Sequence, residues 1–320
     1  MGHLRLSQVS EITGVKRHAL TARLKNLFTN DALERTSGNH ILLKPEQTRK
    51  IIQNELIYSQ GKVIYIGNLK GGVGKTTISY LLADSLSSLG LKVCAIDLDV
   101  QANLTSQFAS IQAEQPVFVD VISEDLKVEE VILNVKNNLD IIPSSLRNSL
   151  IQKVLSMQTP KHHLSWFNSL CLDKLRSNYD IIIVDTPPSL TTLNSVFCLC
   201  LNNSDSIVVP VNPEEFSIMG VQMFLEDVND IRNSYNVENE TQVLIMMNKF
   251  FQNQKTNLEV LVKMGSIYGE NFCDSIIKDS ARLREAMNEK VPISDLKRGK
   301  EIYETINQML TALKIIKVAE

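Results

Sequence analysis

The sequence predicts a parallel β-sheet flanked by helices, an α/β fold, preceded by a small winged-helix-like helix-turn-helix unit. Three observations carry this expectation. From residue 61 onward, short β-branched runs alternate with longer helical patterns, the order that crossover connections between parallel strands require. Between one such run and the following helix lies Lys70-Gly71-Gly72-Val73-Gly74-Lys75-Thr76-Thr77, a glycine-rich octet of the phosphate-binding type. Residues 1–60 hold nine Lys and Arg against five Asp and Glu, although the 320-residue chain as a whole has a net charge of -3. A basic N-terminal unit, residues 1–58, is therefore expected ahead of an acidic domain spanning 61–320.

Within the basic unit, Ser7 is placed to cap a first helix with Val9 and Ile12 inside, and Gly14 ends it. A second helix from about Lys16 is expected to bury Leu20, Leu24 and Leu27. Its other face then carries Lys16, Arg17, His18, Thr21 and Lys25, residue types suited to phosphates and major-groove base edges. Ser37-Gly38-Asn39 reads as a turn, Ile41-Leu42-Leu43 as a short strand, and Pro45 as the first residue of a helix reaching Ile52. The stretch 56–61 is the junction.

Strands of the larger domain are expected at 63–66, 93–96, 139–142, 181–184, 206–209 and 243–247, with a short one at 275–277. Several are continuous apolar runs, as strands covered by helices on both faces should be. In such sheets ligands bind at the carboxyl ends of the strands, where the octet lies. Its physics is direct: Gly71, Gly72, Val73, Gly74, Lys75, Thr76 and Thr77 offer backbone N–H groups and a helix N-terminus to a phosphate chain. Lys75 is suited to the β- and γ-phosphates, and the Thr76 hydroxyl to Mg²⁺. Leu69 stands where the general motif has its first glycine, so the pattern met is the deviant Lys-Gly-Gly-x-Gly-Lys-(Ser/Thr)-Thr, with Lys70 as an additional cation.

The composition, 43% hydrophobic and 22% charged, suits a soluble globular protein. No apolar run is long enough to cross a bilayer and the start does not read as a signal peptide. The five cysteines are odd in number and sit mostly in apolar segments, which indicates a reducing, cytoplasmic setting. Cys198 and Cys200 read as small core side chains, and His162-His163 as a solvated pair.

The octet resembles that of the ParA/MinD group of ATPases, and further segments fit in the same order. Residues 95–105, Ala-Ile-Asp-Leu-Asp-Val-Gln-Ala-Asn-Leu-Thr, resemble the D-L-D-P-Q-G-N-x-T stretch of that group. Residues 179–189 resemble its Walker B strand, 209–216 its V-P-V-x-P segment, and 277–292 the C-terminal segment of partition ATPases. The likeness spans about 61–317 and favours the ParA side. Val100 and Ala102 depart from the proline and glycine usual there.

The resemblance implies slow hydrolysis of ATP with Mg²⁺. In it Asp185 holds the metal through a water, Asp97 supports the metal's water shell, and Asp99 orients the attacking water. Lys70 reaches the phosphates of the partner subunit in an ATP-bound homodimer. Asn248 and Pro213 take the adenine positions; Phe251 replaces the carboxylate that a guanine motif needs, so ATP is preferred over GTP. The implied partners are nonspecific DNA, gripped by Arg282, Arg284, Lys297 and Arg298 with Lys290 and Lys300, and a ParB-type centromere-binding protein. The N-terminal unit resembles MerR-like DNA-binding units and implies operator binding with autorepression. The implied place is the nucleoid, not the membrane. Two other readings stay open: a nucleotide-switched transcriptional regulator, and a MinD-like membrane ATPase anchored by its C-terminal helix.

Overall fold

The computed structural model describes residues 2–123, 126–156, 167–189, 192–238, 240–296 and 299–318. The N-terminal segment runs β1 (Leu4–Arg5), α1 (Leu6–Thr13), α2 (Arg17–Leu27), β2 (Glu34–Arg35), β3 (Ile41–Leu43) and α3 (Pro45–Ile52). Its three strands form an antiparallel sheet in the order β1-β3-β2. Gly14 turns the chain between α1 and α2 at φ +73°, and its N–H donates to the Ser10 carbonyl at 2.9 Å. Two expectations need correction here. The first helix starts at Leu6, so Ser7 lies in its first turn; Gln8 Oε1 instead accepts the Arg5 N–H at 2.7 Å. Leu27 is 50% exposed, because α2 ends there and the chain turns away at Phe28 before any element can cover it.

The larger sheet contains β4 (Lys62–Ile66), β5 (Val93–Asp97), β6 (Leu133–Lys136), β7 (Leu139–Ile142), β8 (Ile181–Asp185), β9 (Ser206–Val211), β10 (Gln242–Phe250) and β11 (Phe272–Lys278). Their order is β11-β10-β9-β4-β8-β5-β7-β6. Every pairing is parallel except β6 with β7. All seven expected strands are present, and β10 and β11 run longer than expected. The antiparallel edge strand β6 is an addition: Asn137-Asn138, with Asn138 at φ +62°, makes a turn too short for a parallel return. Strands β4, β5, β8 and β9 are buried at every position, since helices cover both faces. After β4 the chain moves to one side of the sheet and after β9 to the other, so the carboxyl end of β4 is a topological switch point.

The N-terminal segment shares a hydrophobic core with one face of this sheet. Leu4, Val9, Ile12, Leu20 and Leu24 belong to the same buried cluster as Ile306, Met309 and Leu310 of the helix Lys300–Ala312. Burying each such side chain contributes about 1.5–3 kcal/mol. Polar contacts fix the seat: Gln8 Nε2 donates to the Ser294 carbonyl at 2.9 Å and to Tyr303 Oη at 2.6 Å, and Asn307 Nδ2 donates to the Ile12 carbonyl at 2.9 Å. The C-terminal helix thus has its apolar side covered, and no helix among the described residues is long and apolar enough to cross a membrane. Cys198 and Cys200 are buried, as expected, and His162-His163 lie outside the described residues.

Candidate active site

Strand β4 delivers the octet to the switch point and α4 (Lys75–Ser88) carries the chain away. The loop is tied to the sheet at its start, where the Gly67 N–H donates to Val208 O at 3.0 Å and Asn68 Nδ2 donates to Pro210 O at 2.7 Å. Two glycines are demanded by conformation, Gly72 at φ +72° and Gly74 at φ +96°. At Gly74 contact demands it too: a Cβ there would collide with the side-chain amide of Asn248. Lys75 folds back over the loop, its Nζ donating to the Asn68 and Lys70 carbonyls at 3.1 Å each. Burial lowers its pKa, while the charges of Asp185 and Asp99 oppose that shift.

The acids come from the neighbouring strands. Asp97 and Asp185 are register partners at the carboxyl ends of β5 and β8, and both are fully buried. Asp185 accepts from Thr76 Oγ1 at 2.8 Å and from Ser79 Oγ at 2.9 Å. Asp97 accepts from the Thr105 N–H and hydroxyl, each at 2.8 Å, and from the Asp99 N–H at 3.1 Å. Burial pushes both carboxyl groups upward, and Asp97 raises Asp185 further. A divalent cation between phosphates and protein would offset that cost, and the Thr76 hydroxyl beside the Asp185 carboxylate is a donor set suited to Mg²⁺. Ser79 was not anticipated from the sequence; the available signal was its spacing, one turn beyond Thr76 on α4.

Asp99 lies in the loop after β5. Its Oδ1 accepts the Gln101 N–H at 3.0 Å, and its carbonyl accepts from the Ala102 N–H at 2.8 Å and from Ser144 Oγ at 2.7 Å. Ser144, a second unanticipated residue, is itself held by Asn148 Nδ2 at 2.8 Å. Ala102 precedes α5 (Asn103–Phe108) at φ +52°, a left-handed conformation that glycine adopts without penalty. Ala102→Gly is therefore expected to stabilise the fold by up to about 1 kcal/mol, because the steric relief exceeds the entropy that glycine adds to the unfolded chain. Urea denaturation checks this; a loss of stability would mean that the methyl group packs productively.

Lys70 extends to Glu214, forming an ion pair with both side chains partly exposed. The ammonium holds the Glu214 carboxyl below its ordinary range. Pro213 lies at the half-buried bend just before it. Asn248 and Lys249 brace the loop from the β10 side: Asn248 Nδ2 donates to Val73 O at 2.7 Å, and Lys249 Nζ donates to Gly72 O at 2.8 Å. Where the sequence suggested a base contact for Asn248, its amide nitrogen is committed to the loop itself.

Residues 61–241 match the family model described as AAA domain (AAA_31). The sporulation initiation inhibitor protein Soj of Bacillus subtilis is 32% identical over 254 residues, covering 76% of this chain and 95% of Soj. The virulence plasmid ParA family protein pGP5-D of Chlamydia psittaci is 29% identical, over 77% of this chain and 92% of that protein. The chain belongs to the ParA family of P-loop ATPases. A solved plasmid partition protein of Borrelia burgdorferi has the ParA fold in common with it, at 27% identity and a TM-score of 0.59 over 78% of this chain and 99% of that one. The McdA–ATP complex of Cyanothece superposes with a TM-score of 0.70 at 21% identity, over 82% of this chain and all of the other; that likeness speaks to fold.

Two further sets of residues are expected to meet DNA. On the helix Ala281–Asn288, Arg282 and Arg284 are exposed, but Arg284 is paired with Asp279 and the same helix presents Glu285. Lys300 is paired with Glu304, while Lys297 and Arg298 lie outside the described residues. In the N-terminal segment Lys16, Arg17, His18 and Lys25 are exposed and Thr21 is half-buried.

Proposed function

We propose that the chain is an ATP-hydrolysing partition protein for plasmid or chromosome segregation, in which residues 61–320 are the ATPase and 1–58 a DNA-binding unit. The observation that carries this reading is the arrangement at the switch point: Lys75 spans the loop whose Gly71 and Gly72 are exposed, and the Thr76 hydroxyl meets Asp185 at 2.8 Å beside it. Loop N–H groups and Lys75 hold the β- and γ-phosphates of ATP. Thr76 and Asp185, backed by Asp97, would hold Mg²⁺, which supplies charge neutralisation on the phosphates. Asp99 orients the attacking water. Asn248 and Pro213 border the adenine position.

Lys70 supplies the second cation, and it acts on the triphosphate of the partner subunit. Its present contact with Glu214 is of the exposed kind, worth about 0–1 kcal/mol, so a triphosphate presented by another subunit can take the ammonium from it. ATP-bound dimers then bind DNA without sequence preference through the segment of Arg282, Arg284, Lys297 and Arg298. A ParB-type partner stimulates hydrolysis, which returns the chain to a state that leaves the nucleoid. The N-terminal unit, through α2, binds operator DNA and represses the chain's own operon.

The decisive experiment compares binding to a random-sequence duplex with ATP, with ADP and without nucleotide at one moderate salt concentration. Binding only with ATP, lost at high salt, is the expected result, since such contacts rest on counterion release. Absence of binding in all three states would overturn the partition reading.

A further inference from the structure

Most arginines among the described residues are held by a partner. Arg23, Arg49, Arg147, Arg176 and Arg284 are each paired with a carboxylate. Among the described residues, Arg5, Arg17 and Arg35 have no carboxylate within 4.0 Å. These three come from β1, α2 and β2, yet all line a single recess of about 230 Å³, together with Thr21, Asn39 and His40. No acidic residue lines it. Three guanidinium groups gathered without a counter-charge repel one another, and an anion seated among them reverses that cost.

The hairpin is shaped to hold this arrangement. Asn39 takes the turn at φ +60°, and its Oδ1 accepts from Arg35 Nη1 at 3.1 Å, which fixes the guanidinium at the rim. Glu34, the adjacent residue of the same strand, pairs instead with Lys44 at 3.1 Å. Alternation along a strand sends neighbouring side chains to opposite faces, so the acid is kept on the side away from Arg35.

The residues of α2 divide likewise. Arg17 and Thr21 enter the recess, and Lys25 follows them at the same four-residue spacing on the same face of the helix. Lys16 and His18 line a different hollow, shared with Glu55 and Lys317. We propose that the recess seats one backbone phosphate of duplex DNA, so that the hairpin lies on the DNA beside α2 and the edge Arg17–Thr21–Lys25, not Lys16–His18, faces the duplex. This rests on the reading of the N-terminal unit as DNA-binding and adds to it the hairpin, Arg5 and the orientation.

The test uses the full chain in ADP, where ATP-dependent dimers do not contribute, with a labelled duplex covering the region upstream of its own gene, titrated across a salt series. Arg5→Gln/Arg35→Gln is expected to weaken binding about tenfold and to flatten the slope of log affinity against log salt by about 1, the signature of one lost phosphate. Arg5→Lys/Arg35→Lys should keep most of the slope. Lys317→Gln, in the hollow that Lys16 and His18 line, should stay within about twofold of the parent protein. Thermal melts of each variant separate lost contacts from lost folding. If the parent binds and the glutamine variant matches it in affinity and slope, the phosphate seat is wrong and the DNA-binding reading stands. If the parent binds no duplex in any nucleotide state, the reading itself falls and the seat with it.

Discussion

Lys75→Ala is expected to abolish measurable ATP binding and to reduce turnover by at least about 100-fold, the scale set by removing one preorganised electrostatic group from a reacting centre. The side chain is 7% exposed, and its Nζ is shared between two loop carbonyls at 3.1 Å each. Its loss removes the donor that draws Asn68 and Lys70 together, and it removes a positive charge that favours the ionised form of Asp185. Both the shape of the loop and the charge balance at the metal position depend on it. Lys70→Ala should separate from this result. Lys70 lies at the rim on Glu214, 38% exposed, so its loss should leave ATP binding nearly intact and eliminate turnover. Fluorescent-nucleotide titration beside a phosphate-release assay distinguishes the two lysines. Tight ATP binding by Lys75→Ala would show that the loop is held by its backbone alone.

The two lysines also show what a sequence can disclose. Both stand out in the sequence because they occur within one contiguous octet flanked by a strand and a helix; Asp97 and Asp185 stand out because each closes an apolar strand, and Asp99 follows Asp97 by two positions in the loop. Glu214, the partner of Lys70, was not legible as such, since 144 residues separate them and no local pattern records the contact. Ser144 was missed for the same reason: its hydroxyl serves a carbonyl 45 residues away. Asn248 was noticed, but its amide braces the loop through a contact spanning 175 positions. The strands of the parallel sheet could be read from continuous apolar runs. Strand β6 could not, because Leu133-Asn134-Val135-Lys136 is half-buried at an edge and lacks such a run. The charge asymmetry of residues 1–60 suggested a unit apart, yet the packing that seats it depends on Gln8 and Ser294, 286 positions away.

That seat yields the second large expectation: Asp180→Ala should lower the stability of the whole fold by about 3 kcal/mol while leaving ATP binding in place. Asp180 is 4% exposed at the start of β8 and collects four donors: Arg49 Nη1 at 2.7 Å, Arg49 Nη2 at 3.0 Å, Tyr58 Oη at 2.8 Å and the Lys92 N–H at 2.7 Å. Arg49 belongs to α3, so one carboxylate joins the N-terminal segment, the junction and two strands of the sheet. Its removal takes the carboxylate from the Arg49 guanidinium, the Tyr58 hydroxyl and the Lys92 N–H, while Arg49 keeps the Gly90 carbonyl and Tyr58 Oη as acceptors; breaking a buried pair costs about 3–5 kcal/mol. The lower end applies, because the Arg49 side chain is 39% exposed and water can compensate it in part. Asp185 closes the same strand at its opposite end, which is why the phosphate loop should be spared. Urea denaturation of Asp180→Ala, of Arg49→Ala and of the double variant measures the coupling. The single variants should lose nearly as much as the double variant, since each already breaks the same clamp. A loss below about 1 kcal/mol for Asp180→Ala would class the pair with ordinary surface ion pairs and leave the shared apolar core as the feature that holds the N-terminal segment in place.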